Sequence, residues 1–181
     1  MIERAEYEKI VERTLGYLKR AHIVITPEEA KNVEVADLGL NDIQNTGLQL
    51  VVYLNTARCC AKELILFPGQ TCPQHRHPPA GGQAGKEETF RCRWGKVYLY
   101  VEGPKTQNPK CSPPKGSEQY YTVWHEVQLA PGQQYTLEPN TWHWFQGGPE
   151  GAIISEFSTT SRDEIDVFSD PNIKRQTEIA D

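Results

Sequence analysis

Gly69-Gln70-Thr71-Cys72-Pro73-Gln74-His75-Arg76-His77, followed after ten residues by Glu88 and after six more by Gly95, is the stretch that decides the fold. Side chains two apart on a strand share a face, so His75 and His77 can present both imidazoles to one side while Arg76 faces the other. Such a His-x-His pair either shares one metal ion or consists of two solvated or core-satisfied histidines. Glu88 follows a loop containing Pro78, Pro79, Gly81, Gly82 and Gly85, which can return the chain beside the histidines, and it starts the next strand. Its neighbour Glu87 points to the opposite face. His143, in Pro139-Asn140-Thr141-Trp142-His143-Trp144, falls on a later strand and can complete a set of three imidazoles and one carboxylate. Trp142 and Trp144 then face away from His143, into packing.

Outward from this stretch, β-branched and aromatic residues come in short runs separated by Gly, Pro and Asn. This pattern predicts strands near 48–54, 62–67, 88–94, 96–101, 125–129, 134–137, 141–146 and 152–157. Turns are expected at Trp94-Gly95-Lys96 and Ala130-Pro131-Gly132-Gln133. No helix-length segment separates the runs, so parallel βαβ packing is excluded and a mainly β, antiparallel barrel or jelly roll remains. Before it, Ile2, Ala5, Ile10, Val11, Leu15 and Leu18 form an apolar stripe on a charged helix, and Thr26-Pro27-Glu28-Glu29 is a capping signature for a second. The first forty-odd residues thus read as helical. A single domain is expected over 1–181, with an N-terminal helical segment (1–47), a barrel (48–160) and a C-terminal segment (161–181) packed outside the barrel or against a second subunit. The connections 78–87 and 103–119 are either borders of a binding site or surface excursions.

The chain has 181 residues, 38% hydrophobic and 24% charged, which suits a soluble globular domain rather than a disordered or membrane-spanning chain. Its formal charge of −5 argues against a grip on nucleic acid or anionic lipid. No stretch approaches the roughly 20 apolar residues of a membrane helix. The five cysteines form neither an even set nor a C-x-x-C pattern, and the charged N-terminus lacks a signal core, so a cytoplasmic location with reduced thiols is expected.

A glycine, five residues, His-x-His, a spacer, a glutamate, six residues, a glycine and a later segment with a proline and a histidine together resemble the cupin pattern. Two features depart from it: the spacer before Glu88 is ten residues long, and His143 follows Pro139 by four positions without a glycine. The resemblance implies a metal held by His75, His77, Glu88 and His143. That donor set suits Mn, Fe, Co, Ni or Zn ions.

The long spacer, the lead-in Phe67-Pro68-Gly69-Gln70, the segment from Leu137 to His143 and the stretch from Ile154 to Glu164 further resemble the compact cupin-type D-lyxose ketol-isomerases. This implies interconversion of D-lyxose with D-xylulose, and of D-mannose with D-fructose, on a Mn²⁺ site in a cytoplasmic homodimer. Moving a carbonyl between C1 and C2 needs a base that reaches both carbons and passes a proton through an enediol. Glu156, on the last barrel strand, is the candidate base, or else an exposed strand glutamate. Lys62 is either a donor to a sugar oxygen or a solvent-facing lysine. Glu88, Arg162 and Asp166 join Lys62 and Glu156 as candidate sugar-binding residues, surface ion pairs being the ordinary fate of the last two types. A metal-dependent dioxygenase or decarboxylase and a non-catalytic sugar-binding module are the competing readings of the same fold.

Overall fold

A computed structural model describes residues 1–180. Strand β1 (Ile2–Glu3) leads into helix α1 (Arg4–Arg20), and α2 spans Pro27–Lys31. The expected capping box starts α2: Thr26 Oγ1 accepts from the Glu29 amide at 3.1 Å, and Glu29 Oε2 accepts from the Thr26 amide at 2.6 Å. Then follow β2 (Glu34–Ala36), β3 (Leu48–Asn55), β4 (Cys60–Leu66), β5 (Thr71–Arg76), β6 (Glu88–Val101), β7 (His125–Leu129), β8 (Gln134–Leu137), β9 (His143–Ser158), β10 (Val167–Phe168) and β11 (Ile179–Ala180). The helical reading of the first forty-odd residues stops short at α2. Val35 of β2 turns outward onto the helix cluster, and the strand pairs antiparallel with β3.

The spine is the pairing of β6 with β9, which runs from Glu88 opposite Ser158 to Val101 opposite His143. On its other edge β9 pairs first with β5 and then with β4. Two leaves result. One carries β8, the first half of β6, the second half of β9, β4, β3 and β2; the other carries β7, the second half of β6, the first half of β9, β5 and β10. The leaves fold over each other as an antiparallel jelly roll, as the strand pattern led us to expect.

The turn expected at Trp94-Gly95-Lys96 does not exist as a chain reversal. Gly95 has φ +71 in the middle of the 14-residue β6, and it faces Ala152 in register. A Cβ here would lie 2.1 Å from the Gly151 carbonyl oxygen. The glycine therefore lets two long strands bend together at close approach, a signal that looks like a turn in sequence. The runs expected at 141–146 and 152–157 merge for the same reason into β9.

Inside the roll, Leu64, Leu66, Phe90, Cys92, Leu99, Phe145 and Ile154 form the core. Outside the first leaf, α1 lays Ile10, Tyr17 and Leu18 over Val51, Ile65, Phe67 and Ile153. Outside the second, the segment after Val101 covers Tyr100 and Trp144, whose rings stack at 3.9 Å. The 103–119 connection is thus a cover for the outer wall. Of the adjacent Cys59 and Cys60, Cys60 is buried and Cys59 exposed.

Gly95→Ala should cost about 3 kcal/mol or more in denaturant unfolding, from left-handed strain plus the backbone clash. Gly69→Ala, also at positive φ but with nothing within 4 Å of the new Cβ, should cost about 1 kcal/mol. Equal losses would show that the bend does not need the close approach.

Candidate metal centre and active site

β5 delivers His75, and His77 follows one residue past its end on the same side, with ring centroids 5.0 Å apart. His143, the first residue of β9, pairs in register with His75, and their rings lie 4.2 Å apart. One donor nitrogen from each of the three buried imidazoles falls within 4.8 Å of the others. Glu88, the first residue of β6, places Oε1 3.1 Å from Nε2 of His77 and 3.1 Å from Nε2 of His143. Arg76 faces the other way and lies over the Trp142 ring.

The far nitrogens explain why the near ones point inward. Nδ1 of His75 meets the Pro73 carbonyl at 2.8 Å, Nδ1 of His143 the Thr141 carbonyl at 3.0 Å, and Nδ1 of His77 the Asp166 carboxylate at 2.5 Å. An acceptor at Nδ1 places the proton there and leaves Nε2 as a lone pair. Nε2 of His143 is buried and faces only the Glu88 carboxylate, with no well-aligned hydrogen bond. Three inward lone pairs and a carboxylate at hydrogen-bond range are the donor set for a divalent cation. Burial, with the neighbouring imidazoles, pushes His75 well below its ordinary value and keeps it neutral. At His77 burial pulls downward too, but Glu88 and Asp166 outweigh it and carry the group to about 9, so with no ion bound its Nε2 carries a proton directed at Glu88, which a cation at the focus would displace.

Beside this focus the roll holds a narrow, partly open pocket with about 40 Å³ of room for water-sized groups. Glu88, Glu156, Asp163 and Asp166 face Lys62, Lys86 and Arg175 there. Lys86 Nζ bridges Glu88 Oε2 at 2.7 Å and Glu156 Oε1 at 3.0 Å. Burial alone lowers an ammonium pKa, but these two carboxylates hold Lys86 well above its ordinary value. Conversely, burial raises Glu88, yet Lys86 and His77 hold it well below the usual carboxylate range. Glu156 also accepts from Ser158 Oγ at 3.0 Å. Lys62 pairs in register with Glu156, and its Nζ donates to Ser161 Oγ and Asp163 Oδ2, both at 2.8 Å.

Of the residues singled out from sequence, His75, His77, His143, Glu88, Glu156, Lys62 and Asp166 all come together in this region. Glu156 and Lys62 are buried, which removes the exposed alternatives. Arg162 lines an adjoining pocket together with His77, Lys86 and Asp166, and there it donates to the Ala80 carbonyl at 3.2 Å and to Gln83 Oε1 at 2.7 Å, clamping the tip of the 78–87 connection. Three lining residues escaped the sequence reading. Lys86 precedes Glu88 by two, so the alternation that selects Glu88 also points to Lys86. Asp163 and Arg175 carry no local signal. They arrive because the C-terminal segment, expected outside the barrel or against a second subunit, folds into the mouth of the roll, where β10 pairs with β5 and Phe168 packs on His75.

A jelly roll with three buried histidines gathered at one point is a cupin-like arrangement, and the His75, His77 and His143 cluster offers a site for a divalent metal ion. The family model for D-lyxose isomerase matches residues 28–181, and the chain belongs to that family. It is 67% identical to a D-lyxose/D-mannose isomerase of Thermosediminibacter oceani over 181 residues, the whole of both chains. Over 170 residues it is 59% identical to a D-lyxose ketol-isomerase of Cohnella laeviribosi, covering 94% of this chain and 93% of the relative. Among solved structures, an Acinetobacter sp. L-ribose isomerase in complex with L-ribose superposes with a TM-score of 0.80 at 18% identity, covering 99% of this chain and 98% of that one, and shares the fold.

Burial raises Asp163, but Lys62, Lys86 and Arg175 outweigh it and hold the carboxyl far below its ordinary value. Its stabilising share is therefore complete above the unfolded-chain value of about 3.9 and is lost as pH falls through the lower folded-state value. Asp163→Asn should cost on the order of 2 kcal/mol near neutral pH. The gap from the parent protein in denaturant titrations should close as pH drops below about 4. A gap constant from neutral to strongly acidic pH would contradict this role.

Proposed function

We propose that this protein is a divalent-metal-dependent aldose–ketose isomerase that interconverts D-lyxose with D-xylulose and D-mannose with D-fructose. The observation that carries the reading is Lys86: its ammonium joins the carboxylate at the three-histidine focus, Glu88, to a second buried carboxylate, Glu156. A proton-transfer group is thereby held beside a cation site, which is what carbonyl migration between adjacent carbons requires.

His75, His77, His143 and Glu88 would hold the ion, Mn²⁺ as the family resemblance implies, with Co²⁺, Fe²⁺, Ni²⁺ and Zn²⁺ suiting the same donors. When bound, a divalent cation there supplies Lewis-acid polarisation of the sugar's neighbouring oxygens. Glu156 removes the proton from C2 of the aldose and returns it to C1 of the enediol, while the O2 hydroxyl proton passes to O1, so that C1 ends as an alcohol and C2 as the ketone. Both of its protein contacts fall on Oε1, and Oε2 takes the proton. Lys86 holds the Glu156 carboxylate in place through Oε1 and donates a hydrogen bond to a sugar oxygen. Lys62 and Glu88 contact further hydroxyls from the same wall. Aliphatic Leu48, Leu50 and Leu64 line the rest of the cavity and limit its water.

Removing the metal with a chelator should abolish ketose formation, and readdition of Mn²⁺ should restore it. Glu156→Gln should keep metal uptake while lowering kcat roughly 10²–10⁴-fold, and should lower the exchange of the C2 proton with D₂O in parallel. Turnover within tenfold of the parent in this variant would refute the base assignment. Oxygen consumption in place of ketose formation would favour the dioxygenase reading.

The same reading makes the protein a cytoplasmic homodimer. Leu54, Ala61 and Phe157 lie side by side across the outer face of the first leaf, with Leu54 and Phe157 exposed, and give a second copy an apolar surface. Light scattering should return twice the 20.5 kDa chain mass. The mass of a single chain would overturn the dimer.

A further inference from the structure

We infer that Asp166 is a positioning residue that sets metal affinity through His77 and ties the C-terminal strap to the metal centre. This rests on the reading of His75, His77, Glu88 and His143 as ligands. Two of the three histidines are oriented by their own strands, since their Nδ1 groups meet the carbonyl two residues earlier, Pro73 for His75 and Thr141 for His143. His77 has no such local brace. It lies beyond the last residue of β5, and its Nδ1 meets a side chain 89 residues away, Asp166 Oδ1 at 2.5 Å. Both side chains are buried, at 8% and 7% exposure, so water does not compete for the bond.

The carboxylate does two things to the imidazole. It fixes the proton on Nδ1, which aims the Nε2 lone pair at the focus, and it makes that lone pair more basic. Its own place is secured by the chain around it. Asp166 ends the turn Asp163–Ile165, whose Asp163 meets Lys62 and Arg175, and it precedes β10, where Phe168 pairs with His75 and packs on its ring at 5.3 Å. The strap therefore braces two of the three histidines, one by a carboxylate and the other by a ring. Coupling of this kind is reciprocal: whatever the strap contributes to holding the ion, the ion returns in holding the strap.

The test is Mn²⁺ binding to the full-length protein, read from the electron paramagnetic resonance signal of free aqueous Mn²⁺, with no turnover involved. Asp166→Ala should bind Mn²⁺ about 10–100-fold more weakly than the parent. Asp166→Asn, whose side-chain oxygen still accepts from Nδ1–H, should recover part of that loss, which a generally loosened fold would not do. In hydrogen exchange, Mn²⁺ should slow the amides of residues 163–170 in the parent and leave them unchanged in Asp166→Ala. If the alanine protein does not fold, the asparagine variant decides, with weaker binding than the parent expected. Parent binding together with variant affinities within threefold of it overturns the positioning role alone. A parent that takes up no divalent ion overturns the ligand reading as well.

Discussion

Strands β6 and β9 pair along almost their whole lengths, and the ribbon they form has to bend for the roll to close. Every interior group used by the site is placed relative to that ribbon. Glu88 begins β6 and His143 begins β9, so they sit at opposite ends of the paired segment and meet only because the ribbon folds over. Glu156 faces Phe90 across it, and Lys62 joins Glu156 from β4. The bend is made where backbone replaces side chain, at Gly95 against Gly151. A local conformational freedom thus determines a distance between side chains far from it.

The second constraint is electrostatic. Buried charges are tolerated only where others offset their desolvation, and the cavity meets this with a chain of contacts: Glu156 to Lys86 to Glu88, and Lys62 to Asp163 to Arg175. The directions of the shifted groups follow from those neighbours, with Lys86 held cationic and Glu88 and Asp163 held anionic. Four carboxylates face three cationic side chains in this wall, and the remaining positive charge falls at the focus, on His77 when no ion is bound. A divalent cation is the natural complement to such a wall, and a neutral sugar adds no charge to it.

The parts of this arrangement that were legible in sequence are those set by short-range periodicity. His75 with His77, the choice of Glu88 over Glu87, and the outward faces of Arg76 and Trp144 all follow from alternation along a strand. The Thr26 capping box was legible for the same local reason. Gly95 was misread because a positive-φ glycine inside a bent strand and one in a turn look alike in sequence. Asp163 and Arg175 were invisible because their place depends on the C-terminal segment crossing the mouth of the roll, and nothing in 161–175 is periodic enough to announce that path. Asp166 was singled out, but as a sugar contact; its partner His77 lies 89 residues away, a separation no spacing rule spans.

That crossing segment is held at its far end as well. Lys174 donates its amide to the Leu38 carbonyl at 2.9 Å, Thr177 Oγ1 accepts from the Asp37 amide at 3.1 Å, and β11 runs parallel to β1. Arg175, which reaches into the cavity, meets Glu34 across 141 positions of sequence. Contacts of such separation form late, because the intervening chain must first give up its freedom. During folding the jelly roll can therefore assemble as a shell before its inner wall is complete, and competence to bind substrate should trail the acquisition of β structure.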